Sequence, residues 1–389
     1  MADDAREFEV VVYGATGYTG RLVAAHLLKT YGATGDLAWA MAGRRQAKLE
    51  EVRALIGAPA SLPLVVADAN DPTSLDAMVR RTKVIITTVG PYQLYGDALV
   101  AACAAAGTDY VDLTGESNWI AAKIAKHEAE AKASGARIVF SCGFDSIPFD
   151  LGVMFAEKRA AEVFGAPAPR VRGRIRNMRG GISGGTMASG MATMAAVQRD
   201  PAIGALLANP FALTPGFQGP AQPAEKVYED TVTGSWVAPF MMSAINTKAV
   251  HRSNFLMAHP WGRELQYDEL MMIPGPPKDG VAPGPGFDMG RPIAPGEGPT
   301  KEEREAGFYD ILFIAEAADG RTVWTAVKGD MDPGYGSTSK MLGESAVCLA
   351  RDVPRSVTPG GCWTSASAMG ETLIKRLEAN AGVTFTVES

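Results

Sequence analysis

The sequence predicts an α/β protein: an N-terminal doubly wound parallel sheet joined to a second α/β (α+β) domain. Three observations predict it. Short β-rich runs alternate with helical runs over the first 150 residues, and a glycine-rich turn directly follows the first of those runs. After Leu151 the texture changes to basic residues alternating with apolar ones. Parallel neighbours need a crossover, and right-handed crossovers place helices on both faces of the sheet.

The elements follow in order. Residues 8–13 (FEVVVY) read as a buried parallel strand, leading through the glycine turn into a helix over 21–30. Further strands are predicted at 37–41, 64–67, 83–89, 110–113 and 137–141. Helices separate them, near 46–55, after Asp71-Pro72, along an alanine-rich run ending at Ala106, and at 118–134. Proline at a first helical position behind an Asp cap explains the second of these helices. Residues 170–178 alternate basic side chains with Val, Gly and Ile, as an antiparallel strand with one wet face would. The Gly/Pro-rich stretch 274–299 reads as an extended loop or flap. Residues 309–317 and 321–328 flank Asp319-Gly320, a hairpin signal, and helices at about 337–351 and 365–380 close the chain. The expected division is a dinucleotide-binding domain over 1–150, a substrate or dimerisation domain over 151–335, and C-terminal helices over 336–389. A homodimer is left open.

With 389 residues the chain can build two cores without metal or disulfide support. Its net charge of −6, mixed in sign and without a basic patch, speaks against a nucleic-acid partner. Cys103, Cys142, Cys348 and Cys362 lie far apart with no ligand spacing, and the four histidines are unpaired in sequence. No metal site is therefore expected, hydrolysis by a Ser-His-Asp set or a metal has no support, and the thiols read as free in a reducing compartment. Residues 1–7 are charged and lack an apolar signal region, and no apolar run reaches the ~18–20 residues of a membrane span. A cytoplasmic protein is expected. The apolar run 236–245, broken by Pro239, leaves a peripheral membrane or lipid contact open.

The turn Gly14-Ala15-Thr16-Gly17-Tyr18-Thr19-Gly20 has a strand before it and a helix after it. Gly14 permits the tight turn, Gly17 lets backbone N–H groups approach a pyrophosphate, and Gly20 lets the helix pack close to the sheet. Thr16 and Tyr18 join them as cofactor-site candidates in this Rossmann-type unit. About 20 residues on, an NAD enzyme keeps an acid for the ribose hydroxyls. Here the strand ends in Ala42-Gly43-Arg44-Arg45, and Arg44 is suited to clamp a 2′-phosphate, so the expected cofactor is NADP(H). Asp68, at the end of the third strand, is a candidate for the adenine amino group or a loop-capping acid. Gly90 and Pro91 close the fourth strand, beside the expected nicotinamide ribose.

Together VVYGATGYTG, AGR, TTVGPYQLYG, DYVDLTGE and CGFDSIPFDLG resemble the saccharopine dehydrogenase-like oxidoreductases. GTMASG at 185–190, INTKAVHRSN at 245–254 and DPGYGSTSKMLGE at 332–344 resemble the branch of trans-acting enoyl reductases. The resemblance spans most of the chain. It implies a Rossmann domain joined to an α/β substrate domain, with C-terminal helices returning to the first domain. It also implies NAD(P)-linked reduction of a double bond in a polyketide- or lipid-linked intermediate.

Enoyl reduction needs a proton donor besides the hydride. Tyr92, after the nicotinamide-side turn, and Tyr110, beside Asp112, are candidates, each with packing as its competing role. Asp145 lies past the sixth strand, in the crevice where open sheets bind ligands, with helix capping as its competing role. Ten of 17 methionines fall between Met178 and Met289, and Met187, Met191 and Met194 share a helix face. That enrichment suits an apolar or acyl substrate, with Met241 and Met242 opposite, although core packing explains it too. Three readings stand: an NADPH-dependent enoyl or keto reductase, a saccharopine-type amino-acid dehydrogenase, and a non-catalytic nucleotide-binding protein associated with lipid.

Overall fold

The run Phe8–Tyr13 forms strand β1, with Val10, Val11 and Val12 wholly buried, as a strand covered on both faces requires. This computed structural model describes residues 6–276, 287–288, 293–294 and 296–388. Strands β2 (Trp39–Gly43), β3 (Leu64–Val66), β4 (Thr82–Thr87), β5 (Asp109–Val111) and β6 (Arg137–Val139) follow, each after a helix. The second half contributes β7 (Arg170–Gly181), β8 (Tyr228–Asp230), β9 (Ser235–Pro239), β10 (Gln266–Ile273) and β11 (Phe287–Asp288). It continues with β12 (Phe308–Glu316), β13 (Thr322–Gly329), β14 (Gly361–Trp363) and β15 (Val383–Glu388).

The first sheet is parallel throughout, in the order β14-β6-β5-β4-β1-β2-β3. The order reverses between β1 and β4, which opens a crevice above their C-terminal ends. The predicted six strands are present, and β14 adds a seventh from the C-terminal segment. It is three residues long, too short to carry a periodic signal.

The second sheet runs β15-β13-β12-β7-β10-β9-β8. Strand β7 is its centre, antiparallel to β12 but parallel to β10, where the sequence predicted a simple antiparallel strand with one wet face. The alternation is real, yet the basic face is ion-paired. Arg172 meets Glu316, Arg176 meets Asp310 and Glu388, and Arg174, fully buried, is held by Asp230 and Asp268. A buried guanidinium needs such partners, because an uncompensated charge there is costly. Most of the stretch 274–299 lies outside the described residues, as does Met289.

The helix Ile147–Phe164 joins the domains by packing on β12 and β13. Gly152 makes that possible, since a Cβ there would stand 2.4 Å from the buried ring of Phe313. The helix Thr338–Arg351 then returns to the first domain. Its buried Glu344 accepts hydrogen bonds from Tyr31 at 2.6 Å and Arg376 at 3.1 Å, and meets His26 at 2.8 Å. The last strand, β15, pairs with β13, so the C-terminal segment serves both sheets.

Arg137 ties this return to the first sheet. Its guanidinium holds the buried Asp109 and donates to Leu349 O at 2.7 Å and Val353 O at 2.6 Å. Arg137→Leu would strand Asp109 beside Arg355 alone, at 3.3 Å. The expected loss is at the lower end of ~3–5 kcal/mol, read from the urea unfolding midpoint. A loss under about 1 kcal/mol would mean that this pair does not anchor the return.

Candidate active site

The turn after β1 is shaped by contact. Gly14 has φ +88°, and a Cβ there would be 2.7 Å from Thr88 Oγ1, so the end of β1 abuts the end of β4. A Cβ on Gly20 would stand 2.1 Å from Gly14 O, which is the close helix packing predicted for it. Gly17, the residue before the helix Tyr18–Tyr31, meets only Gly14 O at 3.3 Å and is otherwise open. That open cradle, at a helix N-terminus, suits a pyrophosphate.

A cleft of about 380 Å³ opens over this turn and joins Gly14, Thr16, Gly17, Arg44, Asp68 and Gly90. Arg44 is exposed and has no hydrogen-bond or ion-pair partner among the described residues, so its guanidinium is free for a 2′-phosphate. The neighbouring Lys48 is taken by Glu51 at 2.5 Å. Asp68 lines the cleft while its carboxylate accepts Asn70 N–H at 3.0 Å, which fixes the loop. Buried Tyr13 lies beside both, its hydroxyl pushed up to about 12 chiefly by burial. The remaining cofactor candidates sit behind the cleft. Gly20 is inside the helix, Pro91 follows a cis peptide bond from Gly90, and Tyr18 donates to Pro299 O.

On the nicotinamide side, the turn at Gly90-Pro91 is held from below by Glu116. Its buried carboxylate accepts Tyr92 N–H at 2.9 Å and Gln93 N–H at 2.8 Å. Gln93 then donates to Thr193 Oγ1 at 3.0 Å, on the helix Gly184–Arg199 of the second domain, which roofs the crevice. The N-terminal end of that helix is fixed by Tyr335, whose hydroxyl bonds Thr186 Oγ1 at 2.6 Å and accepts Ser183 N–H.

The two tyrosine candidates are enclosed. Tyr92 is 4% exposed and donates to Thr87 O at 3.0 Å; Tyr110 is 0% exposed and donates to Asp112 at 2.8 Å. Burial pushes both hydroxyls well above their ordinary range. Asp112 is likewise enclosed, accepting Ser141 N–H at 2.7 Å and Thr114 N–H at 3.1 Å, and burial pushes its carboxyl up to about 7.

Asp145 differs from all of these. It is half-buried on the loop after β6 and caps no helix, and while its backbone carbonyl accepts from the Ser146 hydroxyl, its carboxyl has no hydrogen-bond or ion-pair partner among the described residues. That loop is pinned just ahead of it, by Cys142 N–H to Asp112 O at 2.6 Å and Phe144 N–H to Thr338 Oγ1 at 2.9 Å. Its Oδ2 is 3.5 Å from where a Cβ on Gly115 would stand, and Ile245 Cδ1 is 2.9 Å from the same point. Burial pushes its carboxyl up to about 7.

Residues 10–139 match the family model described as the saccharopine dehydrogenase NADP binding domain. The whole chain is similar to the trans-acting enoyl reductase of Mycobacterium ulcerans, 36% identical with 97% of each chain covered. It is equally similar to that of Mycobacterium leprae, 35% identical with 98% of each covered. The chain belongs to the trans-acting enoyl reductase family. Among solved structures, apo saccharopine dehydrogenase (L-Glu forming) from Saccharomyces cerevisiae shares the fold, with a TM-score of 0.56 at 14% identity. The match covers 98% of this chain and 100% of that one.

As a member of this family the protein is an NADP(H)-dependent oxidoreductase, and the free Arg44 at the end of β2 fits that cofactor. Glu116 and Tyr335 are positioning residues that sequence reasoning missed. Both lie in the motifs DLTGE and DPGYGS, whose presence signals a role without saying which. The methionines correct an expectation. Met187, Met191 and Met194 do share a face, but they are 40%, 69% and 67% exposed, and Met241 is 51% exposed. They form an open apolar face, not a closed pocket. No helix among the described residues is long and apolar enough to cross a membrane.

Two outcomes follow for the cofactor. Arg44→Ala should weaken NADPH by ~1–3 kcal/mol and leave NADH nearly unchanged, because only the 2′-phosphate loses a charge-assisted bond. Equal losses for both, in fluorescence titrations, would remove Arg44 from the site. Gly17→Val should abolish NADPH binding with an intact circular dichroism spectrum; retained affinity would refute the assigned cradle.

Proposed function

We propose that this enzyme reduces a carbon–carbon double bond in a lipid- or polyketide-linked acyl substrate, and that Asp145 delivers the proton. The observation that carries this reading is a solitary, unpaired carboxyl on the loop that follows the C-terminal end of β6, near neutrality in its titration. The names of the relatives support the reaction type. The apolar side chain of Ile245 beside Asp145 supports an acyl ligand over a doubly charged amino acid, which would need cations there.

NADPH, when bound, supplies the hydride. The chain's own residues do the rest. Gly14, Gly17 and the helix N-terminus hold the pyrophosphate, Arg44 holds the 2′-phosphate, and Glu116 fixes the turn at Gly90. Hydride addition to one carbon of the double bond leaves an electron pair on the other, as an enolate. Asp145, protonated because burial disfavours its charge, gives that carbon a proton and becomes a carboxylate. Being half-buried, it can take a proton back from water.

The test is NADPH consumption with a panel of enoyl thioesters and 2-oxo acids. Turnover is expected with the thioesters; exclusive use of an amino- or oxo-acid would overturn the reading. Asp145→Asn should lower kcat by about 10²–10⁴, the range of general-acid contributions, with NADPH affinity unchanged. In the parent enzyme kcat should fall as pH rises above about 7, since the acid must be protonated to act. A profile that is flat there, or full activity in Asp145→Asn, assigns the proton to another group.

A further inference from the structure

Tyr18 opens the first helix but does not line the cofactor cleft. Two arginines attend it instead. The guanidinium carbon of Arg21 is 5.0 Å from the centre of its ring and that of Arg304 is 5.8 Å, and Arg304 also donates to the Tyr18 hydroxyl at 2.9 Å. Neither arginine has a carboxylate within ion-pair distance among the described residues. Arg170, Arg172, Arg174 and Arg176 along β7, by contrast, each have one.

These residues face a cavity of about 470 Å³ together with Lys301, Glu297 and Pro299. Among the described residues the lining has one carboxylate, Glu297, against three cations, and Lys301 is 3.7 Å from Glu305. Of the acids that act on Arg304, Glu302 is exposed, and Asp332 is committed to Tyr335 N–H at 3.0 Å and Gly336 N–H at 2.7 Å. Two half-buried guanidiniums flank one ring, and like charges so placed repel each other. An anion between them would offset that repulsion.

We infer that this cavity is a second anion site, separate from the cofactor cleft, that takes the phosphate ester of another ligand between Arg21 and Arg304. Guanidiniums grip phosphate oxygens in bidentate fashion, which suits them over a simple halide or carboxylate. The separation is built in. Gly296 lines the cleft while Gly298 and Pro299 line the cavity, so this strand of chain stands between the two ligands. A phosphate-bearing thiol that carries an acyl group has the required chemistry, and that identity rests on the function proposed above. The anion site itself does not.

The experiment titrates NADPH-saturated protein with coenzyme A and, separately, with inorganic pyrophosphate. Both should bind, more weakly as salt rises. Arg21→Gln and Arg304→Gln should each weaken both ligands about tenfold, and the double variant should lose them, while the NADPH dissociation constant stays within about twofold. Arg304→Lys should restore only part of the affinity, because it keeps charge but not the fork. If the double variant fails to fold, Arg21→Gln decides alone, since the Arg21 side chain makes no hydrogen bond among the described residues and its backbone bond to Gly17 O is unaffected. Undiminished binding in that variant overturns the site. Competition between coenzyme A and NADPH, or an equal loss of NADPH affinity in Arg21→Gln, also overturns it, by placing the arginines on the cofactor. Pyrophosphate binding that depends on Arg21, without enoyl turnover, upholds the site and sinks only the acyl reading.

Discussion

A Cβ at Gly20 would stand 2.1 Å from the Gly14 carbonyl oxygen, and one at Gly14 would stand 2.7 Å from Thr88 Oγ1. The first helix meets the first turn through backbone, and the end of β4 joins them through Thr88, whose hydroxyl donates to Gly14 O at 3.2 Å. This contact sets where the helix N-terminus points, and hence where a pyrophosphate can lie. It also brings the turn at Gly90 beside the turn at Gly14, so that both halves of a dinucleotide face one cleft. Tyr18, placed by the same turn, carries the phenol around which Arg21 and Arg304 gather.

That part of the molecule was legible in the sequence because backbone requirements leave glycine no substitutes, and because buried parallel strands are apolar runs of recognisable length. The helices 46–55 and 365–380 match Gln46–Leu55 and Ser365–Asn380 to the residue. Arg44 was legible for a similar reason: one position decides the sign of charge at the ribose. Asp145 stood out by its place after β6, but its isolation did not. Isolation depends on what neighbouring elements fail to offer, which spacing in one chain does not reveal. Tyr92 and Tyr110 illustrate the converse, since their hydroxyls are satisfied by the nearby Thr87 and Asp112.

The second domain was less legible, and the helix Ser243–Leu256 explains why. Its buried residues include Asn246, Lys248, His251, Arg252, Ser253 and Asn254, so hydrophobic periodicity has nothing to detect. The helix is a polar pillar that ties down loops. Lys248 donates to Leu207 O at 2.7 Å, Arg252 to Leu213 O at 2.6 Å, and Ser253 to Asp150. Burial lowers Lys248 to about 8 and His251 to about 3, so the pillar holds its neighbours by directed hydrogen bonds at some cost in desolvation. Such a helix ranks specificity of arrangement above hydrophobic gain, and while Val171, Ile175, Phe240 and Phe313 are buried in the main core, a few methionines of this domain, Met187, Met191 and Met194, stay exposed.

They lie on the roof. The helix Gly184–Arg199 buries only Gly184 and Ala196, and the helix Pro201–Ala208 after it buries none of its residues. The first of these is held over the crevice by Thr186 to Tyr335 and by Gln93 to Thr193, with no apolar core beneath its methionines. Few buried contacts mean that displacing this element costs little compared with unfolding a sheet. Under the proposed function that looseness has a direction. An acyl chain entering beside Gly90 would supply the packing that Met187, Met191 and Met194 lack, and each methylene so covered is worth about 0.8 kcal/mol. Closure of the roof would then be driven by the substrate's apolar tail. The same Gln93–Thr193 bond would register that closure at the turn where Glu116 holds the nicotinamide side.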